Sequence, residues 1–129
     1  MPILTVKVSG SPDAARTRDI AELLLDATSR ILKKKRELTA IVIDYVDPAC
    51  WLVAGKPLGE HGKSSFYMDI RITDETNTKD EKAAYIREVY AGFARLLGDL
   101  HEESYIHVID ARAASYGYGG LTQEYRYHR

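Results

Sequence analysis

The sequence predicts an α+β fold: a tandem βαβ repeat whose four-stranded sheet carries two helices on one face. Three observations predict it. Two stretches alternate apolar and polar residues or run rich in β-branched ones, and each is followed by apolar positions spaced three and four apart. The order strand, helix, strand then occurs twice along the chain. The second half also matches the first at an offset of 66 residues. Ile20 falls on Ile86, Leu23 on Val89, Leu24 on Tyr90, Ala27 on Phe93 and Ile31 on Leu97, and the register runs on until Val42-Ile43-Asp44 falls on Val108-Ile109-Asp110. Helical stripes match one another easily. A match that continues into the next strand points to a duplication.

The first strand is read over residues 3–8, where Leu4, Val6 and Val8 share one face and Thr5 and Lys7 the other. Ser9-Gly10-Ser11-Pro12 makes a turn, with Ser11 as helix cap and Pro12 at the first helical position. The first helix is expected from Asp13 to about Lys35, and the second strand over about 38–46. In the second half, Phe66, Met68, Ile70 and Ile72 alternate with Tyr67, Asp69, Arg71 and Thr73, the cleanest strand of the sequence. Thr78 with Glu81 forms a capping box, Gly98 can end the helix that follows, and 105–111 is the fourth strand. The expected organisation is one domain over 1–129: repeats at about 2–46 and 66–111, a hairpin linker over 47–65 and a C-terminal hairpin tail over 112–129. Each unit holds a parallel strand pair joined by a right-handed crossover. The outer sheet face, with Thr5, Lys7, Tyr67, Asp69 and Arg71, is too mixed for a core and predicts contact with another subunit.

Composition bounds the function. The chain has 129 residues, 45% apolar and 29% charged, which suits one globular domain rather than a disordered chain. A formal charge of −1 provides no field for nucleic acid or an anionic membrane. The single cysteine, Cys50, excludes an internal disulfide framework and a Cys-rich zinc module. No apolar run approaches the roughly 20 residues of a membrane-spanning helix, and residues 1–5 lack a basic stretch before an apolar core, so a cytoplasmic protein is expected. Lys33-Lys34-Lys35-Arg36 is read as a helix C-terminus complementing the macrodipole. His61, His101, His107 and His128 show no metal-ligand spacing, and no metal or other cofactor is expected.

Each repeat exits into unusual residues. The first runs through Trp51 and a Gly- and Pro-containing stretch to Lys63. The second runs through Ser115-Tyr116-Gly117-Tyr118-Gly119-Gly120-Leu121. Only nine residues follow Gly120, too few for the helix that a phosphate-binding loop opens, so a β-hairpin is the better reading. Trp51 and Tyr116 stand at nearly the same offset from their strands. The tail Tyr125-Arg126-Tyr127-His128-Arg129 is expected to pack on a neighbouring subunit or to fray.

Pro2 directly after Met1, the short first strand, the βαβ unit and the aromatic-glycine hairpin together resemble the tautomerase superfamily, whose best-known member is 4-oxalocrotonate tautomerase. The 115–121 segment is similar to that family's tail. The doubled length resembles its fused members, among them malonate semialdehyde decarboxylases and cis-3-chloroacrylic acid dehalogenases, and Gly62-Lys63-Ser64-Ser65 is similar to the decarboxylase branch. The resemblance covers nearly the whole chain. It implies a cofactor-independent enol–keto isomerisation of a small 2-oxo acid in a homotrimer, with Pro2 as catalytic base once Met1 is removed. A free α-amine titrates at about 7.7–8.0; burial and neighbouring cations favour its neutral form, which can carry a proton between oxygen and carbon. Hydration, dehalogenation or decarboxylation of a small acid is the alternative, and a non-catalytic homo-oligomer with this fold is another.

The family's carboxylate-holding arginines have no counterpart at their own positions, which fall on 9–12, on Asp74-Glu75-Thr76-Asn77, on Ala40 and on Tyr105. Substitutes are therefore sought. Arg112, just before the second hairpin, can reach a site beside Tyr116. Asn77 and Thr78 stand at a helix N-terminus, which favours anions. Trp51 and Tyr116 can shape an apolar pocket around Pro2. Arg71 is assigned instead to a subunit contact. The candidate site is Pro2 as base, with Arg112, Tyr116, Trp51 and Asn77 binding substrate.

Overall fold

In a computed structural model, residues 2–127 are described; His128 and Arg129 of the tail reading lie outside them. Strand β1 (Ile3–Ser9) leads to helix α1 (Ala14–Arg30) and strand β2 (Ala40–Val46). A two-stranded hairpin, β3 (Leu52–Val53) and β4 (Lys56–Pro57), follows, with a one-turn helix α2 (Leu58–His61). The pattern then repeats as β5 (Phe66–Thr73), α3 (Lys79–Leu97), β6 (Tyr105–Ala111), the hairpin β7 (Gly117–Tyr118) and β8 (Leu121–Thr122), and α4 (Gln123–Tyr127).

The sheet order is β2-β1-β5-β6. Each outer strand is parallel to its inner neighbour, and the two inner strands meet antiparallel, Val6 opposite Met68 and Ile3 opposite Arg71. Strand alternation sends Leu4, Val6, Val8, Phe66, Met68, Ile70 and Ile72 to one face, where all are at most 1% exposed. Both helices cover that face through Ile20, Leu24, Ala27, Tyr85, Val89 and Phe93. Each large apolar side chain buried there contributes about 1.5–3 kcal/mol, and Phe66 stacks on Phe93 at 3.9 Å between ring centres.

The repeat is observed, with a corrected register. The offset is 65 rather than 66 from residue 13 onward: helix cap Asp13 corresponds to Thr78, Ala40–Val46 to Tyr105–Ala111, and Leu52–Val53 to Gly117–Tyr118. Buried Ile20, Leu24 and Ala27 thus correspond to buried Tyr85, Val89 and Gly92. Ile86, which an offset of 66 puts on Ile20, is 39% exposed. Loop hydrogen bonds repeat as well: Cys50 N–H donates to the Asp47 carbonyl at 2.8 Å and Ser115 N–H to the Arg112 carbonyl at 2.8 Å.

Local ends also differ from expectation. Asp13, not Ser11, caps α1, its side chain accepting from the N–H groups of Ala15 and Arg16, so Pro12 precedes the helix. The helix stops at Arg30, and Lys33 adopts a left-handed φ of 61°, so Lys33, Lys34 and Lys35 lie beyond it and Arg36 opens a single 3-10 turn, Arg36–Leu38. The Thr78–Glu81 capping box and the Gly98 stop are present. The glycine-rich tail forms the expected hairpin, turning on Gly119-Gly120, although the single-turn α4 does follow it. No helix among the described residues is long and apolar enough to cross a membrane.

Candidate functional site

Because β1 lies antiparallel to β5, the chain's beginning meets the far end of β5 and the exit of β6. Pro2 is buried there, and its carbonyl accepts a hydrogen bond from Ala40 N–H at 3.0 Å, which pins it to β2. Around it opens a cavity of about 500 Å³, lined among others by Pro2, Ile3, Arg71, Arg112, Tyr116 and Tyr118. Two hydrogen bonds hold the hairpin wall of the cavity. Tyr116 and Thr73 hydroxyls bond directly, joining the hairpin to the end of β5. Gln123 N–H donates to the Tyr116 carbonyl at 3.0 Å. Partial burial holds the Tyr116 phenolic proton more tightly than usual, against the opposing effect of the Thr73 bond. Arg126 braces Tyr118 from behind, donating to its carbonyl at 2.9 Å with the guanidinium 4.0 Å from the ring centre.

Of the residues singled out in the sequence, the structure brings Pro2, Arg112 and Tyr116 into this one cavity. Asp110 pairs with Lys82 at 2.6 Å.

The other two candidates lie elsewhere. Asn77 serves the fold: its side-chain amide donates to the Leu32 carbonyl at 3.0 Å and to Glu81 at 3.2 Å, tying the end of α1 to the start of α3. Trp51 belongs to a second cavity of about 440 Å³, with Tyr67, Glu103 and Tyr105. It is the counterpart of Tyr116 by the 65-residue offset, so it faces the equivalent position in the other repeat.

Arg71, assigned from the sequence to a subunit contact, has a second place in the structure. It is on the outer sheet face, as alternation requires, but it also lines the Pro2 cavity. The antiparallel seam between β1 and β5 puts Arg71 opposite Ile3, and no local pattern reveals that pairing. Among the described residues it has a loose ion pair, 4.0 Å to Asp69 on its own strand. Arg71 and Arg112 thus line, with Ser115, a cavity otherwise walled by apolar and aromatic residues. Among the described residues, no group of three or more His, Cys, Asp or Glu is placed to hold a metal ion.

A sheet seamed at its centre, two crossover helices on one face, and a proline at the mouth of a hairpin-walled cavity define a class of fold. It is the fold of the solved fused 4-OT structures and of a malonate semialdehyde decarboxylase. The chain is similar to native fused 4-OT at 18% identity and a TM-score of 0.84, covering 95% of this chain and 97% of that one. It is similar to a fused 4-OT symmetric trimer at 18% identity and a TM-score of 0.78, covering 95% and 96%. It is also similar to FG41 malonate semialdehyde decarboxylase inhibited by 3-bromopropiolate, at 14% identity and a TM-score of 0.75, covering 98% and 95%. No family model and no curated protein matches the sequence.

Proposed function

We propose that the protein is a cofactor-independent tautomerase interconverting the enol and keto forms of a small 2-oxo acid, with Pro2 as general base. The observation that supports this reading is the meeting of Pro2, Arg71 and Arg112 in one largely apolar cavity. Loss of Met1 turns the Pro2 nitrogen into a secondary amine fixed at the start of β1. Burial and two nearby guanidinium groups both disfavour its protonated form. The neutral amine accepts the enol hydroxyl proton and returns it to carbon, while the arginines hold the carboxylate and the oxygen on which charge develops. Tyr116 and Tyr118 exclude water from the transfer.

The test is ultraviolet measurement of ketonisation of phenylenolpyruvate and 2-hydroxymuconate, with intact mass confirming removal of Met1. Pro2→Ala is expected to lower kcat by about 100-fold or more. Arg71→Ala and Arg112→Ala are each expected to lower kcat/KM by about 10- to 100-fold, largely through KM. Conversion by Pro2→Ala at the full rate removes proline from the mechanism.

The arginine pair also favours a second reading, proline-dependent decarboxylation of a small 3-oxo acid, in which a protonated Pro2 acts as acid. Carbon dioxide release from malonate semialdehyde tests it. Inactivity toward all three substrates favours the non-catalytic oligomer.

The assembly we propose is a homotrimer in the cytoplasm. Support for the trimer comes from the fused 4-OT trimer and from Ile3 and Val42, which are 40% and 48% exposed on the outer sheet face. Light scattering should give three chains per particle.

A further inference from the structure

The second cavity is the first one repeated with its chemistry inverted. By the 65-residue offset, Tyr116 corresponds to Trp51, Ala40 to Tyr105 and Leu38 to Glu103; in the leading strands, where the offset is 64, Ile3 corresponds to Tyr67 and Pro2 to Phe66. Phe66 is wholly buried on Phe93, so no proline nitrogen stands at the equivalent position. Arg112 is replaced by Asp47, and Arg71 corresponds to Lys7, which pairs across the strands with Tyr67 but is not among the residues lining the cavity. What lines it instead are three aromatic side chains, one carboxylate and the apolar hairpin residues Leu52, Val53 and Ala54.

These groups are held in place. The Tyr105 hydroxyl donates to Glu103 at 2.6 Å and orients the carboxylate. Tyr67 and Tyr105 both pack against the His107 ring, at 5.6 and 6.1 Å between centres. The Glu103 backbone is tied down by the Ser65 hydroxyl, which donates to its carbonyl at 3.2 Å. Trp51 is fixed by the Leu58 N–H, which donates to its carbonyl at 2.9 Å.

A carboxylate among aromatic rings, with no lysine or arginine in the lining, selects positive charge on an apolar body. The negative ring faces attract an ammonium group, and the carboxylate supplies the counter-charge. We propose that the cavity formed by Trp51, Tyr67, Tyr105 and Glu103 binds an organic cation, a quaternary ammonium or alkylated amine small enough for about 440 Å³. The duplicated chain then has an anion-binding cavity in one repeat and a cation-binding cavity in the other. This assignment stands whether or not Pro2 is catalytic.

Trp51 is the chain's single tryptophan, so fluorescence excited selectively at tryptophan reports on this cavity. The full chain is titrated with choline chloride at constant ionic strength, and separately with 3,3-dimethylbutan-1-ol, the uncharged isostere. Both titrations are repeated by calorimetry, so that a silent fluorophore does not hide binding. The expected result is saturable binding of choline about 10-fold or more tighter than the isostere. Glu103→Gln, at an exposed position whose backbone contacts persist, should weaken choline about 10-fold and leave the isostere unchanged. Tyr116→Leu, in the other cavity, should change neither. Equal affinity for the two compounds, or no heat with either, overturns the proposal.

Discussion

Ala54 sits at a left-handed φ of 55° in the turn of the β3–β4 hairpin, where the matching position of the β7–β8 hairpin is Gly119 at 63°. Both turns need two consecutive positive φ angles, which for an alanine costs about 1 kcal/mol. Ala54→Gly should therefore stabilise the protein by up to about 1 kcal/mol and raise the melting midpoint by about 3 °C, read by calorimetry. Tyr85 makes the opposite kind of demand. It is buried beneath α3 with its hydroxyl 2.9 Å from that of Thr28, and burial pushes its phenol up to about 12. A phenol whose folded value lies above its unfolded value of about 10 stabilises the native state below pH 10. That contribution, about 2–3 kcal/mol, is lost as pH rises from 10 toward 12. Denaturant titrations should show the decline, and Tyr85→Phe should flatten it. Neither residue stood out in the sequence. Tyr85 was missed because the helical stripe was read one residue late, on Ile86, and a stripe half-filled by partly exposed residues does not fix its own phase.

Between elements, the first turn of α3 is joined to the end of α1. Glu81 closes the capping box on Thr78 N–H at 2.8 Å, takes Lys33 at 3.1 Å, and receives the Asn77 amide that also satisfies the Leu32 carbonyl. The Thr78 N–H, then Lys33 and Asn77, hold the Glu81 carboxyl down to about 2. A carboxyl depressed in this way stabilises the fold above its unfolded value of about 4.5, and the contribution is lost as pH falls toward 2. Urea midpoints measured through that range should fall in the native chain and change less in Glu81→Gln. Thr78→Ala should cost about 1 kcal/mol by the same assay. The capping box was legible because its spacing is local and its chemistry unambiguous, and the same holds for β5 and β6, with their alternating or β-branched residues. The end of α1 was not. Lys33-Lys34-Lys35 has good helix propensity, yet the helix ends at Arg30, Leu32 is buried in the core and Lys33 takes a left-handed φ.

At the scale of the whole molecule, duplication was readable because apolar periods repeat. Its register was not, because Val42-Ile43-Asp44 resembles Val108-Ile109-Asp110 one residue out of step. In the fold, inward Ile43 corresponds to inward Val108, while Val42 points outward. The site was half legible for a related reason. Pro2, Arg112 and Tyr116 announce themselves at the ends of the chain, whereas Arg71 enters the cavity only through the pairing of β1 with β5. That seam has a further consequence while the chain is being made. Within each repeat, paired strand residues are 37 or 38 apart, but Val8 and Phe66 are separated by 58 and Ile3 and Arg71 by 68. At about 5–20 residues per second, β1 emerges from the ribosome several seconds before the strand that covers its inner edge. During that interval one rim of a nascent βαβ unit stays unpaired, guarded by little more than the charge of Lys7. The opportunity for a half-made chain to join a neighbour rather than itself is therefore greatest before residue 71 appears.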